Sequence, residues 1–254
     1  MKQKYDIIYS LGRDCACAMY MKHAYLRACS GPFDWLTNAD FETRIDLIIN
    51  DFQDFLNAKD MMPLEKNPNT QNDDNCDYYQ NKRNNFYFFH DFPVGVSFKK
   101  SFPAVKEKYE RRIKRFYDNI NKSNRVLFIW FSHYHTTSDA FLLKTSKRIC
   151  KKFGKNIDFL IIEHTENVRK PIKRKIADNI TRYNVHTHRF DSKGNMKTTG
   201  NRKCVEPIFA KYALKEPLYT VTKRNLLHLA SDVLCAILPF KHIRGKIKRH
   251  LRGE

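Results

Sequence analysis

The chain has 254 residues, 47 of them Lys or Arg and 27 Asp or Glu, giving a formal net charge of +20; 42% of residues are hydrophobic and 13% aromatic. That apolar content supports a packed core and excludes a mostly disordered chain. No apolar run reaches the about 18 residues a membrane-crossing helix needs, and no signal-peptide core follows Lys2 and Lys4, so the expected location is the cytoplasm.

In chain order, residues 6–11 read as a strand that stops at Gly12, and residues 16–27 as the helix after it. Phe41, Ile45, Ile48, Phe52 and Phe55 recur at helical steps. Residues 57–85 are polar and rich in Asn, Asp and Pro, which predicts a long loop or lid. Residues 86–90 read as a strand, and Phe102, Val105, Tyr109, Ile113, Phe116 and Ile120 as a helical face. Residues 126–131 are apolar without alternation, the mark of a strand buried on both faces. A helix is expected over 138–153 with Asp139 in its first turn, and strands over 159–163 and 183–188. This alternation predicts an α/β domain over 1–222, with a mostly parallel central sheet flanked by helices in Rossmann-like or flavodoxin-like layers. Residues 223–254 are expected to form a basic amphipathic helical appendage.

Seven cysteines are scattered with no CxxC pair, as expected for reduced thiols. Cys15 stands apart from the rest. It follows the turn Ser10-Leu11-Gly12-Arg13-Asp14 and sits where a helix begins. The positive end of a helix macrodipole favours thiolate, which makes Cys15 a candidate nucleophile. Gly12, Arg13 and Asp14 belong to the turn whose N–H groups, from 12 to 17, would receive an oxyanion or bind an anion.

Asp34, in Gly31-Pro32-Phe33-Asp34-Trp35, is either a structural anchor or a group that orients an active-site partner. His90 ends a strand that, if parallel to the first, places it at the same sheet edge as Cys15, where it would serve as general base. Asp91 is the second candidate to orient its ring. His133 and His135 are the alternative bases. Their spacing, like that of His186 and His188, also suits a metal, but no carboxylate or cysteine stands at ligand spacing, so neither metal nor cofactor is expected.

Lys241, Arg244, Lys246, Lys248, Arg249 and Arg252 surround the thin apolar line of Ile243, Ile247 and Leu251. That pattern describes a helix lying on an anionic lipid surface. Nucleic acid is the least supported partner, because no recognition motif accompanies the charge. A genome biased toward Lys and Asn codons would produce the same excess. Anionic liposomes should sediment the full chain, and a chain truncated before Asn225 should stay in solution; equal sedimentation of both would exclude the tail as the anchor.

Ser10-Leu11-Gly12-x-x-Cys15, Arg27-x-x-Ser30-x-Pro32-Phe33-Asp34-Trp35, His90-Asp91-Phe92 and Tyr109-x-Arg111-Arg112-Ile113-x-Arg115-Phe116 together resemble a bacterial family of papain-like cysteine peptidases, a domain of unknown function. The resemblance covers roughly residues 5–165 and implies Cys15 as nucleophile and His90 as its base. The turn is also similar to that of capsule-biosynthesis acyltransferases, which implies acyl transfer in surface polysaccharide synthesis as a further expectation. The expected partner is a small-molecule, peptide or glycan substrate. A non-catalytic anion- or phosphate-binding module at the membrane is the alternative.

Overall fold

A computed structural model describes residues 2–66, 75–134, 137–197 and 200–215, together with 226, 227, 229, 230 and 233. The chain divides into two units, Met1–Leu214 and Lys215–Glu254. In the second, the described residues beyond 225 are helical. Lys241, Arg244, Lys246, Lys248, Arg249 and Arg252 of the expected tail lie outside the described residues, as does His135.

The first unit opens with β1 (Gln3–Tyr5), β2 (Ile7–Ser10), α1 (Cys15–His23), the short β3 (Leu36–Thr37) and α2 (Phe41–Ile49). Then come β4 (Met61–Glu65), β5 (Cys76–Asn81), β6 (Phe86–Pro93), α3 (Phe98–Lys122), β7 (Val126–Ser132) and α4 (Asp139–Phe153). It closes with β8 (Ile157–His164), β9 (Ile172–Ala177), β10 (Ile180–Val185), α5 (Arg202–Phe209) and β11 (Tyr212–Leu214).

The central sheet has the order β2-β7-β8-β10-β9. Its first four strands run parallel and β9 runs antiparallel to β10. The sheet is therefore mixed. Asp178 and Asn179 turn β9 straight back into β10, and so short a connection permits only antiparallel pairing.

Every residue of β7 is buried because both faces are covered. Leu127, Ile129 and Phe131 pack with Ile8, Leu160 and Ile162 against Cys17 and Tyr20 of α1 and Ile208 of α5. Phe128 and Trp130 point the other way, toward Phe41 of α2, Phe116 of α3 and Leu142 of α4. α3 buries Val105, Tyr109, Phe116 and Ile120 along one stripe. α4 begins at the Ser138 side chain, which accepts from the Phe141 N–H, and stops at Gly154 with φ 62° in the left-handed region.

A second sheet, β3-β6-β5-β4, is antiparallel throughout. Two expectations are corrected here. The strand that carries His90 does not belong to the central sheet, and residues 57–85 contain two strands rather than one long loop. Their polar residues are used inside the fold. The side-chain amides of Asn81 and Asn84 donate to the Phe55 carbonyl at 2.9 and 2.8 Å. Tyr79 lays its ring 4.4 Å from Phe92 and 5.1 Å from Phe98, centroid to centroid. Among the described residues, no helix is long and apolar enough to cross a membrane.

Candidate active site

Past Ser10 the chain continues along the end of β7. The Leu11 N–H donates to the Ile129 carbonyl at 2.7 Å and the Arg13 N–H to that of Phe131 at 3.1 Å. Between them the Gly12 N–H donates to Ser10 Oγ at 3.1 Å. A Cβ on Gly12 would sit 2.2 Å from Cys17 Cβ, so this close approach of turn to helix requires glycine. Asp14 caps α1, its carboxylate accepting the Ala16 N–H at 2.9 Å. Cys15 is the first residue of the helix.

Cys15 Sγ lies 3.5 Å from His90 Nε2 and 4.0 Å from the Trp35 carbonyl oxygen. The Trp35 ring stands edge-on to the His90 ring at 5.9 Å, and the Arg27 guanidinium lies 5.5 Å from the centre of the Trp35 ring. Three elements thus meet at the sulfur: the α1 start, the segment before β3, and β6. Cys15 is 9% exposed and lines a cavity of about 720 Å³, shared with Arg13, Trp35, Tyr78, Tyr87, Phe89, His133 and Tyr134.

The expected orienting carboxylates are engaged elsewhere. Asp34 Oδ2 accepts from Arg27 Nε at 2.7 Å and from the Gly31 N–H at 3.0 Å. Burial pushes its carboxyl up, against the pull of Arg27. It therefore fixes the Gly-Pro corner and, through Arg27, the face of Trp35. Asp91 is buried between Lys108 and Tyr109, whose hydroxyl donates to it at 3.0 Å. β6 shifts register between Phe88 and Phe92, which breaks its alternation, and there His90 turns to the sulfur while Asp91 turns to Lys108 and Tyr109 of α3.

His133 lines the same cavity, but its Nδ1 pairs with Thr187 Oγ1 at 2.9 Å. The set of N–H groups expected to receive an oxyanion also shrinks. Those of Gly12, Arg13 and Ala16 already serve Ser10, Phe131 and Asp14. The Arg13 side chain donates to Asn38 O at 3.3 Å and lies 5.1 Å from the Tyr134 ring, on the wall of the cavity.

Two residues that the sequence did not single out shape the site. Trp35 was visible only as part of a corner motif. Arg44, fully buried on α2, donates to the carbonyls of Arg13 (3.0 Å), Leu36 (3.2 Å) and Ala39 (3.1 Å). Cys17, two residues on and turned into the core under the central sheet, is the contrasting thiol: burial pushes it up to about 12.

Loss of water also raises the Asp14 carboxyl above its ordinary 3.8, against the opposing pull of His133, Ala16 N–H, Arg44 and Arg13. The folded chain then holds this proton to higher pH than the unfolded one. Ionising Asp14 therefore costs stability as pH rises above that ordinary value. Asp14→Asn keeps the capping oxygen and removes the charge. Its melting temperature should fall less than wild type between about pH 4 and about pH 8; parallel curves would count against the assignment.

The family model described as "Putative papain-like cysteine peptidase" matches residues 6–167 of the chain. The chain is also similar to an uncharacterized protein of Acanthamoeba polyphaga mimivirus, at 28% identity over 134 residues that cover 48% of this chain and 60% of that protein. It thus spans about three-fifths of that relative's length. No solved structure matches.

Proposed function

The chain belongs to the family described as "Putative papain-like cysteine peptidase", a domain of unknown function, and from that premise we propose that it is a cysteine hydrolase whose nucleophile is Cys15 and whose general base is His90. The observation that carries this reading is the 3.5 Å separation of Cys15 Sγ and His90 Nε2 at the wall of an open cavity. His90 takes the thiol proton as the sulfur attacks an acyl carbon, and the positive end of α1 with Arg13 offsets the charge on the carbonyl oxygen. The imidazolium then protonates the leaving group. Water, deprotonated by the same imidazole, resolves the thioester.

Trp35 is the positioning residue in this scheme, edge-on to the imidazole and itself held by Arg27 and Asp34. The aromatic walls suit a peptide, an aromatic acyl group or a sugar ring. A sugar hydroxyl seated there in place of water would turn hydrolysis into acyl transfer, the form expected in polysaccharide synthesis. A purely anion-binding site would leave the thiol facing basic side chains alone; an imidazole within 3.5 Å favours catalysis.

To test the proposal, a thioester or p-nitrophenyl ester reporter is added and the protein is acid-quenched within the first turnover. The expected result is one acyl group on Cys15 by peptide mass mapping. An unmodified Cys15, with reporter hydrolysis no faster than in buffer, would refute it.

A further inference from the structure

Residues at the ends of β8 and β10 that take no part in the thiol chemistry converge on one carboxylate. Val185 pairs with His164 in the parallel register, which brings the extended segment after Val185 alongside the segment after His164. One ligand atom each of His164, Glu166 and His186 lies within 4.8 Å of the others. His164 Nε2 is 2.8 Å from Glu166 Oε1, His186 Nδ1 is 3.5 Å from Oε2, and His188 Nδ1 is 3.8 Å from Oε1.

The far sides of two rings are anchored. His188 Nε2 donates to the His133 carbonyl at 2.8 Å. His164 Nδ1 is 3.2 Å from Thr187 Oγ1 and accepts the Thr187 N–H at 3.1 Å. A backbone carbonyl behind a histidine is the outer support that metal-ligating imidazoles use. With its proton on Nε2, neutral His188 turns the Nδ1 lone pair toward a carboxylate oxygen. Two electron-pair donors facing one another call for a cation between them. The His164 and His188 rings stack with centroids 3.6 Å apart and planes 9° apart, which brings both to the same carboxylate. One divalent ion between them would satisfy all of these contacts at once.

We propose that His164, Glu166 and His186, with His188 as a fourth donor, bind one divalent first-row transition ion, with zinc as its representative. Imidazole and carboxylate donors fit that class of metal. On binding, the ion takes the place of the Nε2 proton that His164 shares with Glu166, which leaves to water; Nδ1 then takes a proton directed at Thr187 Oγ1, and the hydrogen bond it accepts from the Thr187 N–H is given up. Glu166 and His186 side chains are 63% and 38% exposed, which leaves the ion a path from solvent.

The test uses the full chain, stripped with a chelator and titrated with zinc in a calorimeter. Cobalt is then added in its place and its visible absorption recorded. The expected result is one equivalent of zinc, with binding weakened at least about 10-fold in Glu166→Gln and in His186→Ala and retained in Cys15→Ser. The variants change an exposed side chain, Glu166, and a half-buried one, His186, and circular dichroism melts verify that they are folded. No zinc uptake by the folded wild type, or uptake unchanged in both Glu166→Gln and His186→Ala, would overturn the site. So would loss of binding in Cys15→Ser, which would move the ion to the thiol and His90.

Discussion

Cys15→Ser should abolish turnover of an acyl reporter, and His90→Ala should lower it by about 10² to 10⁴-fold, the usual contribution of a positioned general base. A histidine whose Nε2 lies 3.5 Å from the sulfur can hold the thiol proton, leaving the thiolate that attacks. Alkylation by iodoacetamide, mapped by mass spectrometry across pH, reads that same proton without needing a substrate. In wild type Cys15 should react near neutral pH faster than the half-buried Cys204. Removing His90 should move the midpoint for Cys15 upward, toward the about 8.5 of an ordinary thiol. Cys17 is the internal control: pushed up to about 12 by burial, it should stay unlabelled in the folded protein. If Cys15 alkylates with the same midpoint and rate in His90→Ala, the imidazole does not take the proton and the catalytic pair is wrong.

The two halves of that pair were not equally visible in the sequence. Cys15 could be found because its signal is local: a strand, a glycine where only glycine fits, and a helix start within a few residues. Sequence places His90 at the edge of Cys15 only if its strand runs parallel to the first. β6 is instead the inner strand of an antiparallel sheet, and it delivers His90 to the sulfur from a separate layer. Its partner β5 was hidden because Asn81 reads as loop, although it is buried and bonded to the Phe55 carbonyl. The carboxylates show what position in the sequence does not carry. Asp34 follows Cys15 by one motif and Asp91 adjoins His90 in sequence, and charge and burial pair them with Arg27 and with Lys108 and Tyr109. The histidine cluster around Glu166 is assembled by strand register between segments about twenty residues apart, information that spacing alone does not carry.

Arg44→Met should destabilise the first unit by about 3–5 kcal/mol and slow Cys15 alkylation more than its unfolded fraction explains. The side chain is 0% exposed, its guanidinium 4.7 Å from the Phe86 ring centre and 5.3 Å from that of Phe33. Burial among aromatics pulls it down to about 9. What holds a charged group there is its set of acceptors: the carbonyl of Arg13, two residues before Cys15, and those of Leu36 and Ala39, after Trp35. Methionine fills much of the same volume but leaves those buried oxygens without donors, at about 1–3 kcal/mol each where no water reaches them. The consequence reaches beyond stability because Arg44 is the tie between the turn that presents Cys15 and the segment that sets Trp35 against His90. Arg44→Lys keeps the charge yet lacks the planar fork that spans three carbonyls, so it should rescue little. Urea melts give the stability loss, and alkylation of the folded fraction well below the midpoint gives the loss of positioning. A variant that loses stability while its folded fraction alkylates Cys15 at the wild-type rate would show that Arg44 supports the fold and not the geometry at the sulfur.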